Sequence, residues 1–510
     1  MESKSFDVIL VGGGMAGVHA AYPLVHSGKR VLMLDGGVRA AALPHPGKGK
    51  DFEEVRITDD EQHRLFLGDE LEAIVPVVGG SHASSMTSGA RAYVSEQTSQ
   101  RLPLRGEGVD IVQTLAQGGL SEAWGGVCAV FTENELESAG LPVADMSRHY
   151  QEVMRRIGIS GDEAGYQTQP PARITAVMER LLTRYRSVGR SLQSTFVLRQ
   201  PLLGVLTQPL GTREPLAYRD LEYYRTDEKT LYRARYTLEG LMQKQNFEYR
   251  SEQVVERVVP GEEMQEVVSR DFSGERRVFR ARRVILAAGA VNTTRIALQS
   301  GFTQSAELFI KPNYILACLD IHSLTQHDPS ARHSLCQLTL DIPATDGQSA
   351  VFAHLYNYRS LLLWRLLSRI PLPAPETFSL LAMYAPSLVL VDARLPGSEG
   401  ICRATLEGTT LVITRDTRTA SYRPQLRTLK RFLRTLGLYT LHSSPQPLGA
   451  SVHYAGGVTV ETSGKLIGRS GIYAADSSGW KALSGKPPAL TIMANANRIG
   501  EAVCASLIEE

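Results

Sequence analysis

The stretch DVILVGGGMAGVHAAYPLVHSGKRVLMLDGG, residues 7–37, constrains this chain more than any other. Its unbroken apolar run over 8–11 suits a parallel strand covered on both faces. Gly12, Gly14 and Gly17 follow in GxGxxG spacing, then a helix, a second strand over 30–34 and Asp35. In such a unit Gly12 permits the tight turn, Gly14 lets backbone approach a pyrophosphate, and Gly17 lets helix and strand pack closely. Free N–H groups at the helix start face phosphate charge, and a carboxylate ending the second strand can bond a ribose hydroxyl. The expectation is a dinucleotide site on a Rossmann-like parallel sheet. Pro23 falls late in the helix, where its missing N–H and its ring predict a kink or an early end.

A chain of 510 residues is too long for one ordinary core, so two interleaved domains are expected. Its 55 Lys and Arg against 53 Asp and Glu leave a net charge of +2. The arginines are scattered, which argues against a nucleic-acid or membrane partner. Five cysteines lie far apart with no CxxC, so neither a disulfide framework nor a metal site is read. No apolar leader opens the sequence, and runs such as LLLWRLL fall short of the roughly 20 residues of a membrane span. A cytoplasmic protein with no stable membrane insertion and a small-molecule substrate is expected.

Three later segments bear on the choice between NAD and FAD. LAQGGLSEAWGGVCAV (115–130) is a second glycine-rich turn, RRVILAAGAVNTTRIAL (282–298) a strand, small-residue turn and helix, and GIYAADSSGW (471–480) a strand ending in Asp476. An NAD domain has no use for three more such elements, whereas the longer FAD needs remote contacts. With LPVADMSRHYQEVMRRIGISG (141–161), RPQLRTLKRFLRTLG (423–437), SVHYAGG (451–457) and SGKPPALTIMANANRIG (484–500), the sequence resembles the glucose–methanol–choline (GMC) family of FAD-dependent oxidoreductases. The likeness is to its branch of pyranose oxidases and the flavin subunits of sugar and sugar-acid dehydrogenases.

That resemblance implies an α/β FAD-binding Rossmann-like domain, from 1–40, 108–135, 225–300 and 445–510. It is interleaved with an α+β substrate or cap domain carrying an antiparallel sheet, from 41–107, 136–224 and 301–444. Gly12, Gly14, Gly17 and Asp35 would hold the ADP moiety, and Val255 would lie near the adenine. Gly118, Gly119 and Ser121 would border the flavin, with Trp124 in the same turn and Ala288 and Gly289 in the next. Asp476 would bond toward the ribityl or diphosphate. Ala123 stands where pyranose oxidases carry a flavin-linked histidine, so non-covalent FAD is implied. A helix from Thr491 to about Ser506, preceded by Pro487 and Pro488, would favour negative charge on the flavin's pyrimidine edge at its N-terminus.

In the same likeness His453 occupies the place of the catalytic histidine, and a neutral imidazole suits removal of a hydroxyl proton. The family's second His or Asn is replaced by Pro487 or Pro488, and neighbouring Lys486 reads as an exposed turn lysine. The implied function is oxidation of a CH–OH group of a small molecule, sugar-like or a biosynthetic intermediate, by hydride transfer to flavin N5. The prolines leave open a same-fold flavoenzyme doing desaturation, lyase or decarboxylation chemistry. A third reading is a flavin-free binding protein on this fold, of the GDP-dissociation-inhibitor kind. In the cap, LFIKPNYILACLDI, SLCQLTLDI, SAVFAHLYNY and TTLVITRDT read as one antiparallel sheet. Residues 76–100 read as a surface loop or lid. Leu362, Leu363, Leu366, Leu367 and Ile370 form a helical stripe packed on the cap, or else an interfacial helix or tunnel wall.

Overall fold

The computed structural model describes residues 5–40, 49–69, 87–188 apart from 162, 164 and 167, 195–224, 229–323, 333–345, 349–357, 373, 375–376, 384, 387–416 and 422–508. Strands β1 (Phe6–Val11), β2 (Val31–Leu34), β3 (Phe247–Arg250), β4 (Arg276–Leu286) and β5 (Ile472–Ala474) pair in parallel in the order β3-β2-β1-β4-β5. Helices α1 (Met15–His26), α2 (Met146–Ile157), α3 (Ala290–Gln299) and α4 (Ala489–Ser506) surround it. The apolar run of β1 is explained by cover on both sides. Val8 and Leu10 pack with Leu24 of α1 and Ile499 and Val503 of α4, while Ile9 and Val11 pack with Ile296 of α3 and with Val267 and Phe279. β4 is long enough to serve two neighbours. Its first half pairs antiparallel with the hairpin strand Gln265–Asp271, and its second half pairs in parallel with β5.

Pro23 does not end α1. The helix continues to His26, and the Ser27 N–H closes on the Pro23 carbonyl at 3.0 Å.

The four segments expected to form one antiparallel sheet fall in two sheets, the second of which also takes in Tyr454–Ala455. Leu438–Pro445, Asn313–Asp320, Leu388–Arg394, Val351–Asn357, Leu338–Ile342 and Val197–Arg199 form a six-stranded antiparallel sheet in that order. LFIKPNYILACLDI divides at Lys311–Pro312, because proline has no N–H for a ladder. Its first part, Ala306–Ile310, joins Tyr454–Ala455, Ile401–Glu407, Thr410–Arg415 and Leu104–Glu107 in a second sheet.

Alternation gives the six-stranded sheet two unlike faces. Leu340, Ala353, Leu355, Val389 and Val391 pack on helices Ala176–Ser187 and Arg423–Thr435 through Met178, Leu181, Phe432 and Leu433. The cross-strand partners Thr339–His354, His354–Asp392, Phe352–Arg394 and Asn313–Arg394 lie on the other face. That second face is polar and also buried.

Residues 76–86 and the leucine stripe at 362–370 lie outside the described residues. Residues 87–100 are packed, with Arg91, Tyr93 and Val94 buried in the short 3-10 turn Gly89–Val94. Among the described residues no helix is long and apolar enough to cross a membrane. All five cysteines are buried free thiols.

Candidate active site

Four turns meet at the carboxyl ends of the parallel strands. Gly12, leaving β1 at φ +103°, passes so close to the next turn that a Cβ there would lie 2.5 Å from the Ala287 carbonyl oxygen and 3.0 Å from Ala288 Cα. Gly14 then caps α1 with backbone alone: no side chain caps the helix and no acid stands in its first turn. Its leading N–H groups are left for an anion. The second glycine-rich turn comes against the first, and a Cβ on Gly119 would sit 3.1 Å from Gly14 Cα. Asp476 joins the fourth turn to the third. Its Oδ2 accepts from the Gly289 N–H at 2.8 Å and the Thr293 hydroxyl at 2.6 Å, and its Oδ1 accepts from the Ser478 N–H at 2.9 Å. The uncapped start of α1, with no acid in its first turn, fits a dinucleotide diphosphate.

Several of the remaining expected cofactor residues have their polar atoms already in use. Asp35 accepts from the Gly13 N–H at 3.0 Å and from the Tyr249 hydroxyl at 2.9 Å. Burial holds its carboxyl above the usual range, and those two donors offset only part of that rise. The Gln253 N–H bonds the Asp35 carbonyl, so Val255 lies two residues along a strand that starts beside the glycine turn. Ser121 is a brace, donating to the Gly118 carbonyl at 2.6 Å and accepting from the Ala234 N–H at 2.8 Å. Trp124 donates from Nε1 to the Tyr232 carbonyl at 2.6 Å. Thr491 is fully buried against the Tyr150 hydroxyl at 2.7 Å, just inside α4, whose N-cap is Pro488.

His453 is tied to the fourth turn through the chain beside it. The Ser477 hydroxyl, adjacent to Asp476, donates to the Tyr454 carbonyl at 2.7 Å. The imidazole faces Arg394, whose Nη1 lies 3.0 Å from Nδ1 and 3.3 Å from Nε2. Burial, then Lys311, Arg394 and His354, hold the His453 pKa well below its ordinary value. Arg394 is itself anchored by Asp392, whose Oδ2 accepts from Nε at 2.9 Å and Nη2 at 2.7 Å. Burial would raise the Asp392 carboxyl, but Arg394 and its neighbours bring it below the usual range.

The SGKPP turn is seated on the same polar sheet face. A Cβ on Gly485 would lie 3.3 Å from the Arg394 carbonyl oxygen. Lys311 Nζ donates to the carbonyls of Gly485 at 3.2 Å and Lys486 at 2.5 Å. Lys486 is not the exposed turn lysine expected from sequence: it is buried, with Nζ 2.8 Å from Glu135 and 3.6 Å from Asp341. Pro487 and Pro488 are buried too. Lys311, His354, Asp392 and Arg394 were missed by sequence reasoning. The available signal was the matching parity of polar residues in VFAHLYN and LVLVDAR.

Among the described residues one cluster has metal-ligand geometry, His149, Glu152 and Glu501, with ligand atoms within 4.8 Å of one another. Arg148 already pairs with both of its carboxylates at 2.8 Å.

No family model matches this sequence, and no curated protein matches it. Solved structures do. Pyridoxine 4-oxidase from Mesorbium loti matches with TM-score 0.61 at 12% identity, over 98% of this chain and 99% of its own. Formate oxidase of Aspergillus oryzae RIB40, from work on how a mutation affects FAD modification, matches with TM-score 0.61 at 12% identity, over 99% of each chain. The chain has the fold of these oxidases. At that identity the likeness establishes architecture, a Rossmann-like sheet joined to an antiparallel cap.

Proposed function

We propose that this chain is a GMC-type flavoenzyme that oxidises a CH–OH group of a small molecule. The observation carrying this reading is that four distant turns meet in one cradle, with His453 and the SGKPP turn tied beside it. On this reading the FAD domain comprises 1–40, 108–135, 225–300 and 445–510, and the rest forms the cap. Gly12, Gly14, Gly17 and the uncapped start of α1 take the diphosphate, Asp35 a ribose hydroxyl, and Val255 flanks the adenine. Gly118, Gly119, Ser121, Trp124, Ala288, Gly289, Asp476, Pro488 and Thr491 border the remainder, and Ala123 offers no covalent attachment. FAD bound there supplies the hydride acceptor, its N5. His453, kept neutral by burial and by the cations around it, receives the hydroxyl proton, and Arg394 fixes the ring's orientation.

The buried Pro487 and Pro488 favour a second reading, flavin chemistry other than alcohol oxidation, since neither ring can bond a substrate oxygen. The test is optical. Purified protein loaded with FAD is expected to absorb near ~450 nm and to bleach anaerobically with its alcohol. His453→Ala should slow that bleaching by about 100- to 10,000-fold, the usual contribution of a positioned base. A yellow protein bleached by no alcohol selects the second reading. A colourless protein that takes up no FAD overturns both and leaves the flavin-free binding protein.

A further inference from the structure

The two prolines of the SGKPP turn create a hydrogen-bond deficit that one distant residue fills. In a tight turn the Ser484 carbonyl would be closed by the N–H of residue 487 and the Gly485 carbonyl by that of residue 488, but both are proline and have none. Gly485, Lys486, Pro487 and Pro488 are buried, so carbonyls there still need donors. Lys311 supplies them. Its fully buried Nζ donates to the Gly485 carbonyl at 3.2 Å and to the Lys486 carbonyl at 2.5 Å. Burial holds the Lys311 pKa well below its ordinary value, yet charged or neutral the amine has N–H groups for both bonds.

The main chain of the same residue grips the segment of His453. Lys311 stands at the corner where the chain leaves the strand Ala306–Ile310 for Asn313–Asp320, and the following Pro312 disfavours helical backbone there. Its N–H donates to the His453 carbonyl at 3.2 Å, and its carbonyl accepts from the Ser451 hydroxyl at 2.6 Å. Between those two anchored residues lies Val452 at φ +55°. A β-branched residue in that left-handed region is strained, and such strain persists only where the surroundings over-determine it. The two bonds to Lys311 on either side of Val452 are that constraint, with the bond from the Val452 N–H to the Gly449 carbonyl at 2.8 Å. The turn's other anchors run elsewhere: the Ser484 hydroxyl donates to Glu135 Oε1 at 2.5 Å and Lys486 Nζ to Glu135 Oε2 at 2.8 Å.

We propose that Lys311 is the positioning residue of this site, coupling the strained segment that carries His453 to the start of α4. Its bearing on catalysis rests on the flavoenzyme reading; the coupling itself does not. On that reading the start of α4 favours negative charge on the reduced ring, so loosening either grip lowers the flavin potential as well as freeing His453.

Peptide-resolved hydrogen exchange on the full chain tests the coupling, with Lys311→Met cutting the grip on the turn and Ser451→Ala a grip on the His453 segment. Each variant should exchange about two- to tenfold faster in both 450–455 and 484–490, the range that one lost hydrogen bond allows. In the FAD-loaded protein each should also weaken the preference for the reduced ring by the same factor, a potential lower by about 10–30 mV for two electrons. Ser451→Ala changes no charge, so its shift reports geometry. Lys311→Gln, which keeps N–H donors without the charge, should recover part of both effects. Melting temperature shows which variants have folded, and Ser451→Ala decides alone should Lys311→Met not fold. Unchanged exchange, or faster exchange confined to the segment whose bond was cut, overturns the coupling. Faster exchange in both segments with an unmoved potential overturns the positioning role. The two proposals fail separately. A colourless protein whose segments still respond together sinks the flavoenzyme reading alone, and a yellow one whose segments respond separately sinks the coupling alone.

Discussion

Arg394 can only donate, so whichever ring nitrogen of His453 it bonds must accept, and the neutral ring then carries its proton on the other. To take a substrate proton at the bonded nitrogen the imidazole must release Arg394. Without substrate the ring is held neutral by burial, Lys311, Arg394 and His354. The sign for pH follows. A base fails when protonated, so anaerobic bleaching should hold its rate as pH falls past about 6.5, the ordinary histidine value, and decline only well below it. Arg394→Gln removes one depressing charge, and the acid limb of the bleaching rate should move up toward about 6.5. A limb that stays in place would mean that Arg394 does not act on the ring in solution.

At the scale of elements, the cradle depends on backbones passing closer than side chains allow. Gly17, in the first turn of α1, lies so near Gly12 that an added Cβ would overlap the Gly12 carbonyl oxygen. Gly17→Ala is expected to cost about 1–3 kcal/mol by overpacking and to weaken FAD retention, because the start of α1 must move. The control is Gly240→Ala in the helix Ala234–Leu241, where an added Cβ meets nothing within 4 Å; it should be neutral or gain up to about 1 kcal/mol. Melting curves with flavin release check both. Equal behaviour of the two variants would refute the close approach. The glycine turn was legible in sequence because its physics is local: φ +103° at Gly12 and a helix start that no side chain caps both follow from the spacing. The C-terminal helix was legible as well, its start misplaced by only two residues. The floor of the site was not. His354, Asp392 and Arg394 alternate with apolar residues as any half-solvated strand would, and only the turn laid over them makes that face an interior. Lys486 was misread for the same reason, since its partner Glu135 stands 351 residues away.

Across the whole molecule, histidines held neutral and acids held neutral pull folding stability in opposite directions as pH falls. His19, His149, His333, His354 and His453 all have lowered pKa values, with burial the leading cause in each. Between about pH 6.5 and its folded pKa, such a histidine binds a proton in the unfolded chain and none in the native one, so stability falls as pH falls. His333, lowered to about 4, would contribute a loss of about 3 kcal/mol over that window. Glu222 acts oppositely: burial raises it to about 7, so on acidification the native state takes up its proton before the unfolded chain does, and stability rises toward the ordinary carboxyl range. The two groups are neighbours, since the Ser334 hydroxyl, next to His333, lies 3.2 Å from Glu222 Oε2. Urea unfolding from pH 7 to pH 4.5 should therefore separate them by slope. His333→Gln should flatten the acid loss relative to wild type, and Glu222→Gln should steepen it, whatever either substitution does to stability at pH 7. Three parallel curves would show that neither group titrates differently on folding, and the interior around His333 and Glu222 would then be wetter than its burial implies.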